Sequence, residues 1–179
     1  MSIGFDLDKI FIDHPKYVSD KIVEKIIKQK SNVLSYRIPS KPEQPFYKFT
    51  HLTLFRPAIQ ENLDFIEHLA QRPENKYYLI SGRFGFLKKA TEDLTKKYHF
   101  SKIFDTMFFN FNNKQPHIFK DQILKKLNLD KYIDDDLDLL KYIAPKHPKT
   151  NFYWLNNKSS IQLEKNLFAI TKIRNILDE

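Results

Sequence analysis

Apolar residues recur along this chain in two patterns. Short runs rich in Ile, Phe and Tyr, too brief for helices, occupy residues 3–7, 77–81, 103–109, 131–134 and 152–155 and predict buried parallel strands. Between them the 3.6-residue period predicts helices over 58–72, with Ile59, Leu63, Ile66 and Leu69 on one face, and over 84–98, 118–127 and 137–143. The alternation defines an α/β fold, a Rossmann-like parallel sheet layered by helices. Apolar positions Leu163, Leu167, Ile170, Ile173 and Leu177 predict a last helix over 160–177, opened by a capping box of Ser159 and Gln162. One stretch breaks the alternation. Residues 13–56 carry a helix-like piece at 19–30 and then Pro39, Pro42 and Pro45, which reads as an insertion after the first strand. The core is then 1–12 and 57–179, with Pro57 in the first turn of the next helix.

Composition narrows the chemistry. At 179 residues, with 41% hydrophobic, 15% aromatic and 29% charged residues, the chain is long and apolar enough for one packed core, which excludes wholesale disorder. The absence of cysteine removes disulfide scaffolds, thiolate metal sites and thiol nucleophiles, and fits a reducing compartment such as the cytoplasm. Neither an export signal nor a membrane-spanning run is legible, so no membrane insertion is expected. Only Gly4, Gly82 and Gly85 are available, so neither a G-x-G-x-x-G turn nor a P-loop can be written. The net charge of +8 favours anionic partners, and the insertion carries most of it, with nine Lys and Arg against four acids.

Candidate chemistry clusters where strands end. Asp6 and Asp8 close the first apolar run, and Asp134, Asp135, Asp136 and Asp138 follow a later one; solvated turns and helix caps also explain such acids. At the carboxyl ends of two strands of one parallel sheet, however, the two clusters converge on the crevice where such folds bind ligands. Carboxylate oxygens there suit Mg²⁺. Ser81, Gly82 and Arg83 end another strand, a hydroxyl followed by a residue that lets backbone approach a ligand, and suit a phosphate; a capping serine is the plainer alternative. Lys120, fourteen residues before Asp134, can neutralise charge beside carboxylates and phosphate.

In that order these segments resemble the motif series of the haloacid dehalogenase (HAD) superfamily. The likeness runs from residue 3 to about 144: Phe5-Asp6-Leu7-Asp8-Lys9-Ile10-Phe11 as the first motif, Leu79-Ile80-Ser81-Gly82-Arg83 as the second, Lys120 as the third and Tyr132-Ile133-Asp134-Asp135-Asp136 as the fourth. Two departures stand out. Lys9-Ile10 occupies positions where the family often has Gly-Thr, and Lys114 in Asn113-Lys114-Gln115-Pro116 is an alternative third motif.

The resemblance implies a Mg²⁺-dependent phosphatase with 13–56 as a small cap of the C1 type. Asp6 is then the nucleophile that forms an aspartyl-phosphate, and Asp8 the acid and base. Mg²⁺ sits on Asp6, the Asp8 carbonyl and Asp134, with Asp135 orienting the lysine or a metal water. Ser81 and Lys120 hold phosphoryl oxygens, and Arg83 with Arg37 recognises the substrate. Expected substrates are small phosphate esters, nucleotides first, then sugar phosphates or a phosphorylated nucleic-acid end reached through the basic cap. The alternative is a non-catalytic HAD-like protein that binds phosphate or nucleic acid.

Competing readings are weaker. Six histidines contain no H-E-x-x-H pair, so a histidine zinc site is not expected. A receiver domain places its lysine after the later acidic strand, whereas Lys120 precedes Asp134. Aromatics interleaved with basic residues at Tyr36-Arg37, Phe46-Tyr47-Lys48-Phe49 and Phe55-Arg56 can stack on bases, though packing between cap and core is the preferred explanation.

Overall fold

Residues 1–15, 34–72, 74–156 and 161–177 are described by a computed structural model. Seven strands, β1 (Ser2–Phe5), β2 (Lys76–Ser81), β3 (Thr106–Phe109), β4 (Lys131–Asp134), β5 (Asn151–Leu155), β6 (Ile161–Glu164) and β7 (Leu167–Ile170), form one sheet in the order β3-β2-β1-β4-β5-β7-β6. Every pairing is parallel except β6 with β7. Five α-helices are described: α1 (Gln44–Thr50), α2 (Gln60–Leu69), α3 (Lys88–Lys97), α4 (Pro116–Leu127) and α5 (Leu137–Ile143). One face of the sheet is covered by α2 and α3 through Leu63, Ile66, Leu69 and Leu94. The other is covered by α4 and α5 through Phe119, Leu124, Leu139, Leu140 and Ile143. Both faces being buried explains why the central strands read as continuous apolar runs.

From β1 the chain moves to β2 and β3 on one side, then returns to β4 and β5 on the other. The switch point therefore lies at the carboxyl ends of β1 and β4, where open sheets of this kind have their crevice. The loop after β1 is anchored from below. Leu7, Ile10, Phe11 and Ile12 are wholly buried, and Phe11 meets Phe5, Phe100 and Phe104 at ring separations of 5.6, 5.8 and 5.7 Å. Each such side chain contributes about 1.5–3 kcal/mol by burial, so the two aspartates between them stand on a rigid floor.

The ends of several elements differ from the sequence pattern. Instead of a helix over 160–177 the chain forms β6, β7 and a 3₁₀ turn at Ile173–Leu177; Ser159 lies outside the described residues. The spacing of Leu167, Ala169 and Ile170 also satisfies a strand, and pairing with the apolar edge of β5 outweighs helical period. Asn166 fixes the turn, its amide donating to the carbonyls of Ala144, His147 and Thr150. Pro57 precedes its helix, because Ala58 bridges to Ile12 and the Ile59 N–H donates to Phe11 O before α2 begins. A 3₁₀ turn at Gly85–Leu87 takes the start of the helix expected from 84, and another at Phe100–Lys102 shortens β3. Within the proline-marked stretch α1 forms with Pro45 in its first turn. The helical piece expected at 19–30 lies outside the described residues.

Candidate active site

Asp6 follows β1 directly and its N–H donates to Ile133 O at 2.9 Å, so the rung that joins β1 to β4 also aims the carboxylate. Asp134 ends β4. Lys120, on α4, reaches between them, with Nζ 2.7 Å from Asp6 Oδ1 and 2.6 Å from Asp134 Oδ2. All three are buried. The Tyr132 hydroxyl donates to Asp134 Oδ2 at 2.9 Å, and the Asp136 N–H donates to Asp134 Oδ1 at 3.1 Å. Gly82 lets the start of α4 pack closely, since a Cβ there would lie 3.1 Å from Pro116 Cβ, tighter than an ordinary contact, and 3.6 Å from Lys120 Cε.

Asp135 completes a cluster in which one carboxylate oxygen from each of Asp6, Asp134 and Asp135 lies within 4.8 Å of the others. One ammonium cannot neutralise three carboxylates, two of them buried and the third, Asp135, partly exposed. Burial pushes the Asp6 carboxyl up to about 7, with Lys120 opposing and Asp134 and Asp8 adding to the rise. Asp135 is driven well above the usual carboxylate range by burial, then by Asp134 and Asp6. Lys120 stays charged; burial disfavours its ammonium, but Asp134 and Asp6 outweigh that. An oxygen-only donor set with surplus negative charge fits a hard divalent cation.

Asp8 faces the opposite electrostatic situation. Arg83 holds it in a fork, Nε to Oδ2 and Nη2 to Oδ1 both at 2.7 Å, and Arg56 Nη2 also donates to Oδ1. Burial would raise the Asp8 carboxyl, yet Arg83 and then Arg56 hold it well below the usual range. Arg56 is 2% exposed, its Nη1 donates to His14 Nδ1 at 2.8 Å, and its Nε has no partner among the described residues. His51 stays neutral, pushed down to about 3 by burial and then by Arg83 and Arg56; its Nδ1 donates to Tyr47 O at 2.8 Å.

Positions 34–38 reach this crevice through Tyr36. Its backbone pairs reciprocally with the Gln115 side chain at 2.8 and 3.1 Å, and its hydroxyl donates to Asp136 Oδ2 at 2.6 Å. Asp136 in turn caps α5, accepting from the N–H groups of Asp138 and Leu139.

The structure thus gathers Asp6, Asp8, Ser81, Gly82, Arg83, Lys120, Asp134 and Asp135 at one end of the sheet. Buried Ser81 accepts from the Arg83 N–H at 3.4 Å. Lys114 is elsewhere, its ammonium 2.6 Å from Gln122 Oε1 on the exposed side of α4. Arg37 pairs with Glu43 at 2.5 Å instead of reaching the crevice. Lys9 pairs with Asp13 at 2.7 Å and sits at φ 60°, a left-handed conformation that glycine adopts without strain. Three residues escaped the sequence reading of the site. Tyr132 was recoverable, because strand alternation puts it on the same face as Asp134. Arg56 and Tyr36 stand out in the sequence only as parts of aromatic–basic pairs, and their partners Asp8 and Asp136 lie in remote segments, so no local signal ties them to the crevice.

A scan against protein-family models finds no match, and no curated protein matches the sequence. Solved structures are similar in fold. A HAD-superfamily hydrolase from Ehrlichia chaffeensis superposes with a TM-score of 0.57 at 10% identity, over 99% of this chain and 94% of that one. A chain of the Pnkp1/Rnl/Hen1 RNA repair complex superposes at 0.54 and 13% identity over 87% of this chain, which spans 42% of the length of the repair chain. A second structure of that complex gives 0.51 at 13% identity. The seven-stranded, mostly parallel sheet with helices on both faces is therefore a HAD-like α/β fold.

Proposed function

We propose that the protein is a Mg²⁺-dependent phosphohydrolase that works through an aspartyl-phosphate on Asp6, with 1–12 and 57–179 as its core and 13–56 as a small cap of the C1 type. The observation that carries this reading is the division of charge around one loop. Asp6, Asp134 and Asp135 outnumber Lys120, while Arg83 and Arg56 outnumber Asp8. One pole calls for a cation and the other for an anion, and a phosphate monoester with a divalent metal satisfies both.

Asp6, Asp134 and Asp135 would hold the metal, with the Asp8 carbonyl as the further ligand that the family resemblance implies. The ion would supply neutralisation of phosphoryl charge. Asp6 attacks phosphorus, the ester P–O bond breaks, and protonated Asp8 gives its proton to the departing oxygen; water then attacks phosphorus as Asp8 takes its proton, the Asp6 Oδ–P bond breaks, and inorganic phosphate leaves with Asp6 restored. In the resting arrangement Arg83 and Arg56 keep Asp8 ionised, ready to accept a proton. To donate one it must first be released and take up a proton from solvent or the substrate phosphate, and phosphoryl oxygens compete for the same guanidinium N–H groups. Ser81 and Lys120 hold the phosphoryl oxygens.

The substrate is a small phosphate monoester, a nucleotide or a phosphorylated nucleic-acid end. The likeness to a chain of an RNA repair complex supports including the last. The test is hydrolysis of an aryl phosphate with and without Mg²⁺ by the wild type and Asp6→Asn. Metal-dependent turnover lost in the variant supports the reading, and turnover that persists in Asp6→Asn overturns it. Mg²⁺ and phosphate binding without any turnover would favour a non-catalytic binder.

A further inference from the structure

Two series of aromatic rings lead outward from the arginines that hold Asp8. Phe84, next to Arg83, stacks with Phe86 at 6.3 Å; Phe86 meets Tyr47 edge-on at 6.2 Å, and Tyr47 meets Phe46 at 6.3 Å. Phe55, next to Arg56, lies 4.7 Å from Phe49. Both series end on α1, none of whose residues is buried. There Phe46 is 69% and Phe49 56% exposed, and Leu54, next in sequence to Phe55, is 83% exposed. The interleaved aromatics at 46–49 are therefore not consumed by packing. An exposed apolar face of this kind marks an interaction surface.

We propose that this face is a stacking platform for the unpaired bases of a single-stranded nucleic acid whose terminal phosphate occupies the Asp6–Arg83 crevice; this rests on the phosphatase reading. Base faces stack on exposed rings whatever the sequence, and the platform begins one residue from each guanidinium of the anion pole. Charge selects the partner. Exposed Lys41 and Lys48 flank the rings, and 13–56 carries nine basic residues against four acids, which complements a polyanion. A second copy would bring the same basic segment against itself, at a net charge of +8 on each chain.

The test compares two ligands in the Asp6→Asn background, with Mg²⁺ present, by fluorescence anisotropy and competition. One is an oligothymidylate of about eight nucleotides phosphorylated at both ends, the other thymidine 3′,5′-bisphosphate, so both end polarities are covered. The oligonucleotide is expected to bind about 100-fold more tightly, with a log–log salt slope of about −0.7 per phosphate neutralised. Adding Phe46→Ala and Phe49→Ala should weaken the oligonucleotide by about 10-fold per ring and bring the ratio of the two affinities toward one. A misfolded variant loses both ligands and leaves no such ratio; Phe46→Trp with Phe49→Trp, which keeps the ring faces, should then preserve the parent's preference. An unchanged ratio in the alanine variant, no preference in the parent, or no oligonucleotide binding overturns the platform. So does a parent dimer that the alanine variant abolishes, which would make the face a contact between copies. Oligonucleotide binding that depends on the rings while the bisphosphate fails to bind keeps the platform and overturns the phosphate-site reading.

Discussion

Lys120→Met removes the ammonium that bridges Asp6 and Asp134 while keeping most of the side-chain volume against Tyr132, whose ring centroid lies 5.9 Å from Nζ. The ammonium is shared by Asp6 at 2.7 Å and Asp134 at 2.6 Å, and its side chain is 4% exposed. Removing one partner of a buried ion pair costs about 3–5 kcal/mol, because the other is left as an uncompensated charge. Here the cost falls at the lower end near neutral pH. Asp6 is already pushed up to about 7 and escapes part of the penalty by holding a proton. For a chain of this length about 3 kcal/mol lowers the melting temperature by about 6–12 °C. Scanning calorimetry in chelator at pH 7 measures it, and at pH 8.5 the loss should widen as proton uptake becomes harder. Mg²⁺ should restore more stability to the variant than to the wild type, since it replaces the charge that Lys120 supplied. Lys114→Met, whose partner is Gln122 on the surface, should change stability by less than about 0.5 kcal/mol. A Lys120→Met protein that melts at or above the wild type in chelator refutes the charge argument.

The gain in melting temperature from Mg²⁺ should grow with pH. Asp6 has a folded value of about 7 against 3.8 in the unfolded chain, so the metal must displace a proton below that value; the gain should be small at pH 5, rise through pH 7 and level off above it. A gain independent of pH across that window would show that Asp6 is not a ligand. Lys9→Gly should leave the unfolding free energy measured in urea unchanged or raise it by up to about 1 kcal/mol, because relief of the left-handed backbone offsets a partly exposed pair with Asp13. A loss above about 1.5 kcal/mol would contradict this. Gly85→Ala should cost about 1–3 kcal/mol in chemical denaturation, since its Cβ would meet Phe111 O at 2.4 Å. Gly82→Ala, whose nearest contact is a proline carbon at 3.1 Å, should cost less, and the reverse order would refute the packing argument.

The sheet was legible because its central strands are buried on both faces and read as unbroken apolar runs; β4 and α5 fall at 131–134 and 137–143, where the pattern predicts them. The C-terminal hairpin was not. An edge strand such as β6 is mostly exposed and carries little pattern, while β7 owes its form to pairing with β5. The same distinction runs through the candidate site. Asp6, Asp134 and Lys120 sit at strand ends and on a helix whose phase the sequence gives away. Arg56 lies 48 positions from Asp8, and Tyr36 lies 100 from Asp136, so only the folded chain joins them.

The two poles depend on one another through the loop between Asp6 and Asp8. The Asp8 N–H donates to Asp6 Oδ2 at 3.1 Å, and the negative charge of Asp8 is among the causes that raise Asp6. Arg83 and Arg56 offset that charge, so the arginines that set the anion pole also moderate repulsion at the cation pole. An anion that draws a guanidinium away from Asp8 returns negative charge to the loop for as long as Asp8 stays unprotonated, and so increases the demand for a cation at Asp6, Asp134 and Asp135. A cation bound there lowers the cost of keeping Asp8 ionised beside it. Anion and cation therefore reinforce each other's binding, and linkage makes the reinforcement equal in both directions. A metal-bound phosphate ester meets both demands at once, whereas either ion alone leaves one pole unbalanced.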